Sequence, residues 1–426
     1  MGNENLYSFT IFFSIYGSLT IMIKENPDRR KQFLRLLFFL FVVLFCFSYD
    51  GKVTAYNTTL YAFSYKYGFI SRAFIGSLFQ GIDYLVPWDM MSYTHSVLYT
   101  QVVTALFYVL LLWFFSFILK QLPGEAGRGT KYAELIIVAY TIYAVPMFAC
   151  RKNFGRVDIY LVGLSLLAVV LIVKNKGLFL LPVIVAVCVC IHQGYVFMFF
   201  NIILVLLIYR IFSPKSEHKF LFILCFLLGS ALFLYFEFFS RTNGEAFVDE
   251  IIENATKLSY KGDYHETLID HEILGIDLAS EEWDFHKENF VQFPIYLLLM
   301  SPFLYMLFRL FGEIRKRVET TGEKIRYFFV CAGPLTLLPN YILKVDYARW
   351  TFAVFTYYTM VILALLAWKD RIMEESISRV AQIRQRYPFV FLLLPYLLLF
   401  SPLWDVYMCQ ALKRMSDWIN VFVHFM

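Results

Sequence analysis

The chain has 426 residues, of which 59% are hydrophobic and 20% aromatic, while only 17% are Asp, Glu, Lys or Arg. An ordinary soluble domain is about one quarter charged, so this composition excludes that class and leaves a membrane protein of many spans. The formal net charge of +5 says little by itself, because the position of Lys and Arg relative to the spans is what carries information.

Apolar runs of about 17 to 25 residues, enough to cross a ~30 Å hydrocarbon core as helices, recur from end to end. They predict about twelve spans, at 6–23, 34–49, 96–119, 132–150, 157–173, 178–191, 194–213, 219–239, 290–311, 327–344, 351–368 and 389–404. The expected fold is all-α, a polytopic transmembrane bundle in which residues 1–426 form a single integral membrane domain. Acidic Glu4 precedes the first run, and no small-residue cleavage site follows it, so it reads as a span rather than a signal peptide. Connectors at 24–32, 120–131, 174–177, 213–219, 312–326 and 369–388 are rich in Lys or Arg, which by the positive-inside rule makes their side cytoplasmic. The segments 50–95, 151–158, 192–194, 240–289 and 344–350 and the tail after Trp404 then face outward.

The outward segments hold the chemistry. Asp50 closes the second span. "YAFSYKYGFISRAFIGSLFQGIDYLVP" (61–87) is too polar for a full span, and Gly68, Gly76 and Gly81 suggest close packing or a re-entrant or interfacial helix pair carrying Lys66 and Arg72. "RKNFGRVD" (151–158) sets Arg151, Lys152 and Arg156 on the side where the rule disfavours cations. These side chains either snorkel to lipid phosphates or hold an anionic ligand. Arg suits phosphate, because its planar fork donates two hydrogen bonds and stays charged. His192 lies in a turn of three residues between two spans, as a core histidine or as a general base.

The segment 240–289 reads as an extracytoplasmic lid, with thirteen acidic against four basic residues between Arg241 and Glu288. Its Asp263, His265, Glu266, Asp270, His271 and Glu272 lack the spacing that puts two metal ligands on one helix face, and no metal or other cofactor is expected. Tyr260, Tyr264 and Trp283 are candidates for stacking on sugars. In "KVDYARW" (344–350), Asp346 either pairs with Arg349 or Lys344 or acts as a base. Six of the seven cysteines lie in or beside apolar runs without paired spacing, and the sequons at Asn57 and Asn254 are matches by pattern only.

An Arg at the start of a span in "RKNFGRVDIYLVGLSLLAVVLIVKNKG", a short Lys turn, and an apolar helix ending in His in "LLPVIVAVCVCIHQGYVF" together resemble the Wzy-type and EpsG-type bacterial polysaccharide polymerases, with Arg349 agreeing in arrangement. The resemblance is strongest over residues 140–215, and the acidic-Pro motif of the EpsG type is replaced by "KYGFISRAFIG". It implies glycosyl transfer from an undecaprenyl-pyrophosphate-linked oligosaccharide to a second lipid-linked acceptor at the outer face of the bacterial cytoplasmic membrane. Arg72, Arg151, Lys152, Arg156 and Arg349 would then hold the pyrophosphate, and His192, Asp50 or Asp346 would take the acceptor proton. Membrane lipids and a chain-length regulator or flippase are the implied partners, and no nucleic acid is expected. Two rival readings are a GT-C-type transferase using a polyprenyl-phosphate sugar, with Asp50 as base, and a lipid-linked glycan flippase without chemistry.

Overall fold

Inside hydrocarbon no water is available to backbone amides, so a spanning chain must satisfy them within helices or a closed barrel. The computed structural model describes residues 29–48, 53–86, 88–122, 128–143, 154–214, 217–240, 244–274, 292–343 and 346–386, and every regular element among them is helical. In chain order these are α1 (Arg29–Ser48), α2 (Ala55–Ala62), α3 (Phe74–Leu85), α4 (Tyr93–Gln121), α5 (Arg128–Tyr143), α6 (Asp158–Lys174), α7 (Leu181–Ile191), α8 (Tyr195–Met198) and α9 (Phe200–Ile211). They continue as α10 (Lys219–Phe238), α11 (Val248–Leu258), α12 (Glu266–Glu272), α13 (Gln292–Arg315), α14 (Thr321–Ala332), α15 (Leu338–Leu343), α16 (Tyr347–Ala367) and α17 (Arg371–Arg386). The expected spans at 6–23 and 389–404 lie outside the described residues.

Among the described residues three helices are long and apolar enough to cross a membrane: Tyr93–Gln121, Lys219–Phe238 and, within α16, Arg349–Ala367. Of the most apolar stretch of α16, 94% is buried, against 17% for α10, so α16 is the axis of the bundle and α10 lies at its rim. α10 exposes Phe220, Leu227 and Phe238, whereas Asp158 and Arg349 are buried inside. Exposed apolar residues around a core that encloses charge are what a lipid solvent selects.

The expected run at 327–344 is broken. α14 ends at Gly333–Pro334, and a 3-10 turn over Gly333–Leu337 leads into α15. Pro lacks the amide hydrogen that would continue the ladder, so carbonyls at the break need other donors. Tyr357 donates to the Phe329 and Val330 carbonyls at 3.1 and 2.9 Å. Tyr358 reaches the Cys331 carbonyl at 2.8 Å, and Asn201 Nδ2 reaches that of Gly333 at 3.2 Å.

Two further groups of contacts between distant segments lie toward the two ends of the bundle. At one end Asp370 accepts from the hydroxyls of Tyr209 and Tyr327, Trp368 Nε1 donates to the Val173 carbonyl at 3.3 Å, and Tyr132 bonds Ser378 at 3.0 Å. At the other, Asn57, Lys66, Arg72, Arg156 and Arg349 meet partners from the segments expected outside. The described part of the lid is not a loose loop. α11 buries Ile251, Ala255 and Leu258, and Ser96 and Tyr67 bond the Leu258 carbonyl and Asn254. The sequon residue Asn57 is fully buried and donates to the Phe154 carbonyl at 2.9 Å, which leaves no room for a glycan.

From residue 61 onward the chain closes α2 and, after a 3-10 turn at Tyr65–Tyr67, forms α3, which meets the end of α2 at backbone distance. A Cβ on Gly76 would stand 1.9 Å from the Phe63 carbonyl oxygen, whereas one on Gly81 would meet nothing within 4 Å. Gly76→Ala is therefore expected to destabilise the protein by about 1–3 kcal/mol or more, since backbone must move to admit the methyl group. Gly81→Ala should leave stability unchanged or raised. Monodisperse protein surviving a heat step in detergent checks both.

Candidate functional site

Five separate segments build one buried polar site. The connector before α6 is held by α2, where Asn57 Nδ2 donates to the Phe154 carbonyl at 2.9 Å and the Tyr61 hydroxyl to that of Gly155 at 2.5 Å. Gly155 has φ +88°, and a Cβ there would lie 3.1 Å from both the Tyr61 hydroxyl and Val53 Cγ1, so the turn that delivers Arg156 requires glycine. Arg72 also sits in the left-handed region, at φ 64°, a conformation a non-glycine residue holds only when its surroundings impose it. Its neighbour Ser71 donates to the Gln193 side-chain oxygen, tying this hairpin to the turn that carries His192. Asp346 caps α16, and Arg349 lies in that helix's first turn.

The charges are paired in a graded way. Arg349 donates from Nε and Nη2 to one oxygen of Asp158, at 3.0 and 2.8 Å, and both residues are buried. Asp158 opens α6, where the helix dipole also favours a carboxylate. Arg156 Nη1 reaches Asp346 at 3.4 Å, and Arg349 Nη1 lies 3.9 Å from the same oxygen. Arg72 pairs at 3.1 Å with Glu272 of the lid. The second oxygens of Asp158 and Asp346, Arg72 Nε and His192 Nε2 are all buried with no hydrogen-bond partner among the described residues.

His192, in the connector beyond α7, stands among these cations. Burial first, and then Arg72, Arg349 and Arg156, lower its pKa well below the ordinary histidine range. The ring is thus neutral, and its tautomer follows from one bond: the Gly194 backbone amide donates to Nδ1 at 2.9 Å. With Nδ1 accepting, the proton sits on Nε2. That nitrogen, buried and without a partner among the described residues, is a hydrogen-bond donor, which does not fit the general-base role expected of His192. The signal was within reach of the sequence only in part, since the bond depends on how the chain turns at Gly194.

Of the expected site residues, Arg72, Arg156, His192, Asp346 and Arg349 are brought together. Asp50, Arg151, Lys152, Lys344 and Trp283 lie outside the described residues. Lys66 is diverted to Glu250 at 2.6 Å. Tyr260 is exposed and packs on Tyr93 at 5.5 Å, and Tyr264 is exposed. Asp158 and Glu272 are the members that sequence reasoning missed in these roles. No group of three or more His, Cys, Asp or Glu placed to hold a metal occurs among the described residues. Comparison with protein-family models, curated proteins and solved structures gave no match.

Removing one partner of a buried pair strands the other charge, at a cost of about 3–5 kcal/mol. Asp158→Leu alone should therefore sharply reduce folded protein in the membrane. Asp158→Leu with Arg349→Met should restore much of that level, because no charge is left stranded. Quantitative detergent-extracted yield is the readout, and a double variant no better than the single one would show that the pair acts otherwise than by mutual neutralisation.

Proposed function

We propose that this protein is a membrane glycosyltransferase that polymerises undecaprenyl-pyrophosphate-linked oligosaccharide units at the extracytoplasmic face of a bacterial cytoplasmic membrane, through a bundle of about twelve spans. The observation that carries this reading is the gathering of Arg156, Arg349 and Asp346 in one ion-pair cluster, with the segment of Arg72 bonded through Ser71 to the turn of His192, a buried residue whose Nε2 has no partner among the described residues. Three guanidiniums and one neutral donor suit a diphosphate whose charge grows as a glycosidic bond breaks.

In this reading Arg349 stays with Asp158 and fixes the frame, while Arg72 and Arg156, paired at the less buried edge of the site, take the phosphates. His192 donates from Nε2 to a phosphate oxygen. Asp346, whose Oδ1 is unpartnered among the described residues, accepts the proton of the acceptor hydroxyl. The freed oxygen forms a bond to the anomeric carbon of the donor sugar. The bond from that carbon to phosphate breaks, and the lipid pyrophosphate leaves with the electron pair. One observation favours a second reading, translocation without chemistry: each of the three guanidiniums already holds a carboxylate, which suits a transient rather than a reactive stay.

The test is chain elongation on a purified lipid-linked repeat unit by protein in lipid nanodiscs. Arg72→Lys and Arg156→Lys should each slow elongation ten-fold or more, as roughly 1–3 kcal/mol of forked bonding is lost. Arg315→Lys, an exposed residue at the other end, should be unchanged. Asp346→Asn should abolish elongation. His192→Gln, which keeps a neutral donor, should retain clearly more rate than His192→Ala. Wild-type elongation in the Arg72, Arg156 and Asp346 variants would end the proposal, and no elongation by any form, with lipid transfer across vesicles intact, would favour translocation.

Sidedness has its own check. In a cysteine-free background, a cysteine at Lys261 should react with an impermeant thiol reagent in intact cells and one at Lys316 should not, both positions being exposed. Labelling of Lys316→Cys alone would invert the orientation.

A further inference from the structure

The end of the bundle opposite the arginine site carries a second feature. A groove of about 560 Å³ runs between α4, α6 and α7, walled by apolar side chains that include Trp113, Leu171, Val183 and Ile184 and bordered by Lys174 and Lys176. The turn between α6 and α7 presents both lysines. Asn175 adopts φ 54°, its amide bonds the Ile172 carbonyl at 3.2 Å, and the Lys176 amide bonds that of Leu171 at 3.2 Å, so the last carbonyls of α6 are closed off within the turn. Gly177, at φ +66°, then reverses the chain into α7.

Three observations say what the groove takes. Its walls are almost wholly apolar and outward-facing, with Trp113 43% and Val183 55% exposed, so chains rather than a polar solute fit them. Lys174 and Lys176 are exposed, and neither has a carboxylate partner among the described residues, unlike the paired cations of the opposite site. The Lys174 ammonium is also held over the Phe117 and Trp113 rings, at 5.0 and 6.0 Å, which keeps it at the mouth. We infer that this groove is a binding site for an anionic glycerophospholipid of the leaflet on that side, its acyl chains between α4, α6 and α7 and its headgroup phosphate on Lys174 and Lys176. A basic mouth over an apolar inter-helix cleft is the arrangement that selects acidic headgroups. The inference requires only that the bundle is embedded in a membrane and is independent of the glycosyl-transfer reading.

Native mass spectrometry tests it on the full-length protein, released from micelles with equimolar phosphatidylglycerol and phosphatidylcholine. The wild type should retain phosphatidylglycerol preferentially. Lys174→Gln with Lys176→Gln should lose that preference, at about five-fold per lysine. Lys316→Gln, at an exposed position away from the groove, should keep it. Val183→Trp, which fills the groove from an exposed position, should lower retention of both lipids. Equal retention of the two lipids by the wild type, or unchanged preference in the double lysine variant, would overturn the assignment, as would a Val183→Trp protein that retains lipid like the wild type.

Discussion

A guanidinium inside a hydrocarbon-embedded bundle must be paired, and the bond between Arg349 and Asp158 meets that requirement where burial is deepest. It joins the first turn of the central α16 to the first residue of α6. With those two helix starts fixed, Asp346 comes within reach of Arg156, and the connector carrying Arg156 is pinned in turn by Asn57 and Tyr61. The left-handed backbone at Arg72 and the bond from Ser71 to Gln193 place the remaining cation and the histidine turn on the same frame.

The three ion pairs differ in a way that matters for chemistry. Arg349 and Asp158 have side chains 9% and 1% exposed, whereas those of Arg156 and Asp346 are 12% and 18% exposed and that of Arg72 is 15% exposed, against 6% for its partner Glu272. An entering diphosphate could replace a carboxylate at Arg156 and Arg72, so that its charge is paired as it leaves water, which lowers the desolvation cost of binding. In the proposed reaction this exchange has two consequences. It releases Asp346 from Arg156 to act as a base, and it separates Glu272 from Arg72, so that the helix bearing Glu272 senses whether the site is filled.

Much of the helix layout was legible because apolar runs of spanning length permit little else, and the grouping of Arg72, Arg156, His192, Asp346 and Arg349 followed from assigning connectors to one side by charge. The pairing was not legible. Asp158 and Arg349 are far apart in sequence, and nothing in either local pattern names the other. Glu272 read as one of several acidic residues in a polar lid, because its role depends on how α12 lies against Arg72. The docking of α11 was hidden for a similar reason: its buried Ile251, Ala255 and Leu258 form a narrow apolar stripe within a segment that is acidic overall. The break at Gly333–Pro334 was absorbed into a single expected span, although the proline signalled it.

The most direct measurement is equilibrium binding of a short-chain prenyl pyrophosphate to the purified protein, followed by intrinsic tryptophan fluorescence beside the matching prenyl alcohol. If the arginine site receives a diphosphate, the pyrophosphate will bind saturably, the alcohol will only partition weakly, and Arg72→Gln and Arg156→Gln will each weaken the saturable phase without altering partition. Equal binding of the two compounds, or saturable pyrophosphate binding unaffected by both substitutions, would contradict the assignment of the site.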